Sequence, residues 1–342
     1  MSQEIFTYPH PFQLESGFYL PHLEVTYHTY GKINPERNNV IWVCHALTAN
    51  SDVLEWWAGL FGATCLFNPE EYFIVCANIL GSCYGTTGPL SLNPATGQPY
   101  YQNFPVITIR DMVQAHDLLR QHLNISQIHT LMGGSLGGQQ SLEWAIQKPK
   151  LFQNVILLAT NAFHSPWGIA FNEAQRMAIQ ADETFAQNIP NGGKNGLRAA
   201  RAMALLSYRH YDAYCQTQRE DDLNKTDLYK ASSYQQYQGD KLMKRFNAYS
   251  YFALSKSMDS HQAGRNRPSV EQALSQIAAR TLVIGINTDL LFPVAEQQFL
   301  ARHIPHAAYK EINSFYGHDG FLIETAKISQ LIEEFYGISV EQ

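Results

Sequence analysis

One stretch constrains this chain more than any other: Ile128-His129-Thr130-Leu131-Met132-Gly133-Gly134-Ser135-Leu136-Gly137-Gly138, running on through Gln139-Gln140-Ser141-Leu142-Glu143-Trp144-Ala145. An apolar run with strand character meets a run with helical spacing, and Gly-x-Ser-x-Gly sits at the junction, the context that a nucleophile elbow requires. Glycines at 133 and 137 let the backbone turn tightly and let strand and helix approach. The serine is held strained at the tip, so Ser135 Oγ is expected to stand exposed. The same turn puts the Leu136 N–H at the start of the helix, where it can donate to an oxyanion formed when Ser135 attacks a carbonyl. A second donor is expected from the loop after an earlier strand, in Cys44-His45-Ala46-Leu47-Thr48, with the Leu47 N–H as candidate.

Short runs rich in β-branched and aromatic residues recur at Leu23–Tyr30, 39–45, 72–77, 128–132, 155–159 and 281–286. Near-continuous apolar runs suit the strands of a mostly parallel sheet covered on both faces. Helical patterns separate several of them. The clearest spans 109–122, with Thr108 as N-cap, Asp111 three residues on, and Met112, Ala115, Leu118, Leu119 and Leu123 on one stripe. The alternation predicts an α/β fold, an α/β-hydrolase sheet flanked by helices. From 165 to 267 the character changes to helix-like segments rich in Gln, Tyr, Ala, Arg and Lys without a convincing strand. This span reads as an inserted helical lid, which leaves a discontinuous core of 1–164 and 268–342. A last helix is expected from about Thr325 to Phe335.

In an α/β-hydrolase sheet the partners follow the serine in the order acid, then histidine. Of thirteen histidines only His303, His306 and His318 follow a plausible acid beyond the lid. His303 and His306 flank Pro305 in what reads as a helix end and surface turn. His318 stands in Phe315-Tyr316-Gly317-His318-Asp319-Gly320-Phe321, a loop able to deliver an imidazole to a strand end, and is the expected general base. Asp289 follows the strand 281–286 in Asn287-Thr288-Asp289, at the carboxyl edge where open parallel sheets gather catalytic groups. By itself it would read as a turn or capping aspartate; strand end and chain order make it the expected acid, fixing the imidazole tautomer.

Composition excludes several classes. A net charge of −6 and a pI near 6.1 argue against a nucleic-acid footprint. The five cysteines include no close pair at ligand spacing, so neither a disulfide framework nor a zinc site is signalled. No apolar stretch approaches the roughly 20 residues of a membrane span, and the start lacks a secretory pattern, so a cytoplasmic protein with no membrane partner is expected.

With these motifs in place, the sequence resembles the homoserine O-acetyltransferase family over nearly its whole length. Matching stretches include Cys44-His45-Ala46-Leu47-Thr48, Ala77-Asn78-Ile79-Leu80-Gly81-Ser82-Cys83-Tyr84-Gly85, Thr108-Ile109-Arg110-Asp111-Met112-Val113, the elbow, Tyr237-Gln238-Gly239 and Arg245-Phe246-Asn247-Ala248-Tyr249-Ser250-Tyr251. The resemblance implies acetyl transfer from acetyl-CoA to the hydroxyl of L-homoserine, on the route to methionine, in two half-reactions through an acyl-serine. Carried over by position, Ser135, Asp289 and His318 form the triad and Leu47 and Leu136 the oxyanion donors. Arg209 holds the substrate carboxylate through its bidentate fork, and Asp319 meets the substrate amine. The family also implies a homodimer joined through the lid, with acetyl-CoA as co-substrate and no cofactor or metal. Leu136 departs from the family's frequent methionine, and Asn247-Ala248-Tyr249 from its frequent Asp-Ala-Asn. The first change keeps an apolar side chain beside the backbone donor; the second lies in the lid and bears on packing or the tunnel. Succinyl-CoA as donor and serine as acceptor would use the same triad. So would an esterase, whereas a non-catalytic binding protein on this fold would need a broken triad.

Overall fold

A computed structural model describes residues 2–337; Met1 and the last stretch of the expected core, 338–342, lie outside the described residues. Eight strands form one sheet: β1 (Ser2–Tyr8), β2 (Leu23–Tyr30), β3 (Val40–Cys44), β4 (Phe73–Ala77), β5 (Ile128–Gly134), β6 (Phe152–Leu158), β7 (Arg280–Ile286) and β8 (Ala307–Ile312), in the order β1-β2-β4-β3-β5-β6-β7-β8. β2 runs antiparallel to both neighbours and every other pairing is parallel. The helices are α1 (Val53–Trp56), α2 (Ile109–His122), α3 (Leu136–Gln147), α4 (Pro166–Gln180), α5 (Lys194–Tyr208), α6 (Tyr211–Thr217), α7 (Lys230–Met243), α8 (Ala248–Asp259), α9 (Val270–Leu274), α10 (Val294–His303), α11 (Gly320–Ile323) and α12 (Thr325–Tyr336).

The central strands are buried along their length because both faces of the sheet are covered. In β3, Val40, Trp42 and Cys44 join the apolar core on one face while Ile41 and Val43 join that on the other. Trp42 meets Trp144 of α3 edge to face at 5.1 Å, a geometry that adds about 0.5–1.5 kcal/mol beyond area burial and seats α3 against the strand. Most strand boundaries shift by a residue at most, and the larger shifts are at β5, which runs on to Gly134, and β6, which begins at Phe152. Two strands were not legible. β1 leaves Ile5 64% exposed, and β8 at the far edge alternates partly covered and exposed positions, so neither shows a continuous apolar run.

Between β6 and β7 the chain forms no strand of the sheet, and α4, α5, α7 and α8 pack on one another. The two ends of this span are stitched together, His164 N–H donating to the His261 carbonyl at 2.9 Å and Ala263 N–H to the Ala162 carbonyl at 2.9 Å. Against the end of α5, the expected loop around His318 is a 3-10 turn, Gly317–Asp319, running directly into α11 and then α12.

Candidate active site

Ser135 sits between β5 and α3 with φ 56° and ψ −126°, in the strained region that few non-glycine residues adopt. The surroundings enforce it. A Cβ on Gly137 would lie 2.0 Å from the Cys44 carbonyl oxygen, and one on Gly133 would lie 2.3 Å from the Gly137 carbonyl oxygen. The Ser135 N–H donates to the Leu158 carbonyl at 3.0 Å, and Thr160 Oγ1 donates to the Ser135 carbonyl at 2.9 Å. The nucleophile's backbone is thus tied to the end of β6.

Asp289 and His318 reach the serine from β7 and from the turn before α11. Thr288 Oγ1 donates to the Ser314 carbonyl at 2.7 Å and accepts from the Gly317 N–H at 3.1 Å, which joins the two loops. His318 Nε2 lies 2.9 Å from Ser135 Oγ and its Nδ1 lies 2.6 Å from Asp289 Oδ2. With the proton on Nδ1, the serine hydroxyl donates to Nε2. The other carboxylate oxygen of Asp289 accepts from the N–H groups of Leu291 and Phe292, both at 2.8 Å, so the acid is anchored. All three residues are buried, and Phe292 stacks on the imidazole at 5.1 Å. Sequence distance is no obstacle: the structure brings together positions 135, 289 and 318.

The two expected oxyanion donors come from adjacent strand ends. Leu136 opens α3, where the first N–H groups have no intrahelical acceptor. In the turn after β3, His45 Nδ1 donates to the Ala46 carbonyl at 2.8 Å and the Ala49 N–H donates to the same oxygen at 3.1 Å. Because C=O and N–H of one trans peptide point opposite ways, holding the Ala46 oxygen aims the Leu47 N–H to the other side. Burial pushes the His45 imidazole down to about 4, so it stays neutral, with Nε2 accepting from the Ile79 N–H at 3.1 Å.

Ser135, His318, Leu47 and Asp319 share a cavity of about 370 Å³ with Thr48, Trp56, Arg201, Tyr208, Lys241 and Arg245. Asp319 is pushed up by burial, against which the Arg209, Arg201 and His318 charges pull it down. Arg209 is not itself in the cavity wall, but its Nε lies 3.0 Å from Oδ2 of Asp319, which is, so the structure brings the two expected substrate residues together beside the triad. Of the two arginines at the cavity wall, Arg201 lies 5.4 Å above the Tyr208 ring, and Tyr208 in turn packs beside His318 at 5.6 Å. Sequence reasoning missed both, although their seven-residue spacing puts them on one face of α5. Behind the acid, burial pushes the Glu296 carboxyl up to about 7, with the nearby Asp289 charge adding to it and a 3.0 Å hydrogen bond from Asn161 opposing.

Among known proteins, the model of the α/β-hydrolase fold family matches residues 39–325. A homoserine O-acetyltransferase of Cyclobacterium marinum is 50% identical, with 98% of this chain and 95% of that protein covered. The crystal structure of homoserine O-acetyltransferase from Bacillus anthracis superposes with a TM-score of 0.90 at 25% identity, over 98% of this chain and 97% of that one. Esterase E22, at 22% identity, shares the fold with a TM-score of 0.88 over 98% of this chain and 99% of its own.

Proposed function

The chain belongs to the homoserine O-acetyltransferase family, and from that membership we propose that it acetylates the side-chain hydroxyl of L-homoserine, on the route to methionine, taking the acetyl group from acetyl-CoA through an acyl-Ser135. The observation that carries this reading is the relay Asp289–His318–Ser135, with contacts of 2.6 and 2.9 Å, at the wall of a cavity that also holds a carboxylate and an arginine.

The chemistry runs in two balanced halves. His318 Nε2 takes the Ser135 proton as Oγ attacks the thioester carbon, and the oxyanion accepts from the Leu47 and Leu136 N–H groups. Collapse breaks the C–S bond, and the imidazolium returns its proton to the departing CoA sulfur. The homoserine hydroxyl then gives its proton to Nε2 and attacks the acyl carbon; collapse re-forms the Ser135 hydroxyl with that proton. Asp289 holds the imidazolium in orientation throughout. No metal or organic cofactor takes part. For the amino-acid carboxylate we assign the guanidinium groups of Arg209, held against Asp319, and of Arg201 at the cavity wall, and for its ammonium Asp319. Large apolar side chains exposed on the lid segments, including Leu206, Tyr211, Leu228 and Tyr237, support a homodimer through that face. No helix among the described residues is long and apolar enough to cross a membrane.

Initial rates at several fixed concentrations of each substrate should give parallel double-reciprocal lines, and rapid quenching with acetyl-CoA should add an acetyl mass to the peptide carrying Ser135. Intersecting lines with an unmodified peptide, or acetate release matching CoA release when homoserine is present, would refute the transfer scheme.

A further inference from the structure

Arg245 lies in the connection between α7 and α8, in the lid, but its guanidinium reaches across to the core. Nη1 donates to the Thr48 carbonyl oxygen and, at 2.7 Å, to the Tyr84 hydroxyl, while Nη2 lies 3.4 Å from Thr48 Oγ1. Thr48 is the residue after Leu47, inside the turn closed by the Ala49 N–H on the Ala46 carbonyl. From the core side this turn is held by His45 Nδ1 on the Ala46 oxygen and by Gln140 Nε2, 3.2 Å from the His45 carbonyl. From the other side it is held by a lid residue. A charged donor is the stronger kind of hydrogen bond, and its forked geometry grips the turn in two places.

We propose that Arg245 is a positioning residue: through the Thr48 carbonyl it sets the pitch of the turn 46–49 and so the aim of the Leu47 N–H, which makes correct seating of the lid a condition for a complete oxyanion hole. The inference rests on the Leu47 N–H as oxyanion donor. It is separate from donor recognition. Lys241 and Arg245 line the same cavity, so contact with a phosphate of the acyl donor is the competing role that the test separates.

The test compares the full-length chain with R245A and R245K, using acetyl-CoA and, as a donor without phosphate, p-nitrophenyl acetate. Loss of one oxyanion donor costs about a hundredfold or more, and a misaimed donor less, so acylation of Ser135 should slow by about tenfold or more with both donors in R245A. The homoserine KM should stay close to its original value, millimolar guanidinium should restore part of the R245A rate, and R245K should fall between. A loss confined to acetyl-CoA would make Arg245 a phosphate contact and overturn the proposal, as would unchanged acylation with both donors. Should R245A melt near the assay temperature, the R245K comparison decides by the same criterion. If the unaltered protein fails to acetylate homoserine while the p-nitrophenyl acetate rates still fall in the variants, the functional reading fails and this inference stands.

Discussion

His318 has little freedom to turn, stacked on Phe292 and flanked by Phe321 and Tyr208, with both ring nitrogens engaged. Such a base needs no reorganisation at the moment of proton transfer, and its precision comes from apolar neighbours as much as from Asp289. The same scale separates Arg201 from Arg209. Arg209 already faces the Asp319 carboxylate, whereas Arg201 lines the cavity over an aromatic ring. Replacing Arg201 by methionine should raise the homoserine KM by about tenfold to a hundredfold, the equivalent of about 1.5–3 kcal/mol for a charged hydrogen bond. Acylation by p-nitrophenyl acetate should fall far less; equal losses in both would place Arg201 outside acceptor recognition. The triad was readable from residue order because each member follows a strand or flanks a glycine turn. The two arginines eight positions apart differ because Arg201 lies within α5 and Arg209 just past its end, in extended backbone facing Asp319, a contact set by packing between distant segments.

At the scale of elements, the helices that announce themselves by local chemistry formed as expected. α2 begins with a complete capping box: the Asp111 N–H faces Thr108 Oγ1 and Asp111 Oδ2 accepts from the Thr108 N–H at 2.8 Å. The Glu15 N–H adds a donor to the other oxygen of Asp111 at 2.7 Å, tying the N-terminal segment to the helix. Thr108→Ala should therefore cost about 1 kcal/mol in a denaturant titration while leaving the kinetic constants in place. A midpoint that does not move would show that the Asp111 contacts alone hold the helix end. β1 and β8 escaped notice for a shared reason: an edge strand covers only part of itself and carries no unbroken apolar run. The segment after Phe315 reads as a loop, yet it is a 3-10 turn held locally by Ser314 and, from 29 residues away, by Thr288, a distant contact that glycines alone do not reveal.

For the molecule as a whole, burial of neutral imidazoles is expected to weaken the fold in acid. His45, His116 and His261 are pushed down to about 4 and His164 to about 3, each chiefly by burial. Their folded values lie below the unfolded value near 6.5, so the unfolded chain binds more protons at lower pH. The stability they contribute is present above pH 6.5 and is lost as pH falls toward 4. Chemical denaturation midpoints should drop steeply across that window, and His116→Gln, which keeps a neutral hydrogen-bonding group opposite Gln140, should flatten the drop; an unchanged slope would assign the acid limit elsewhere. The sequence by itself determined the sheet's parallel core, the elbow and the order of nucleophile, acid and base, because those depend on local periodicity and on turns that only certain residues can make. Only the tertiary structure decided which arginines line the cavity, how Arg245 grips the turn after β3, and which polar groups lose their water. Those properties arise from packing between segments far apart in the chain, where burial changes the energy of a charge and no local pattern records it.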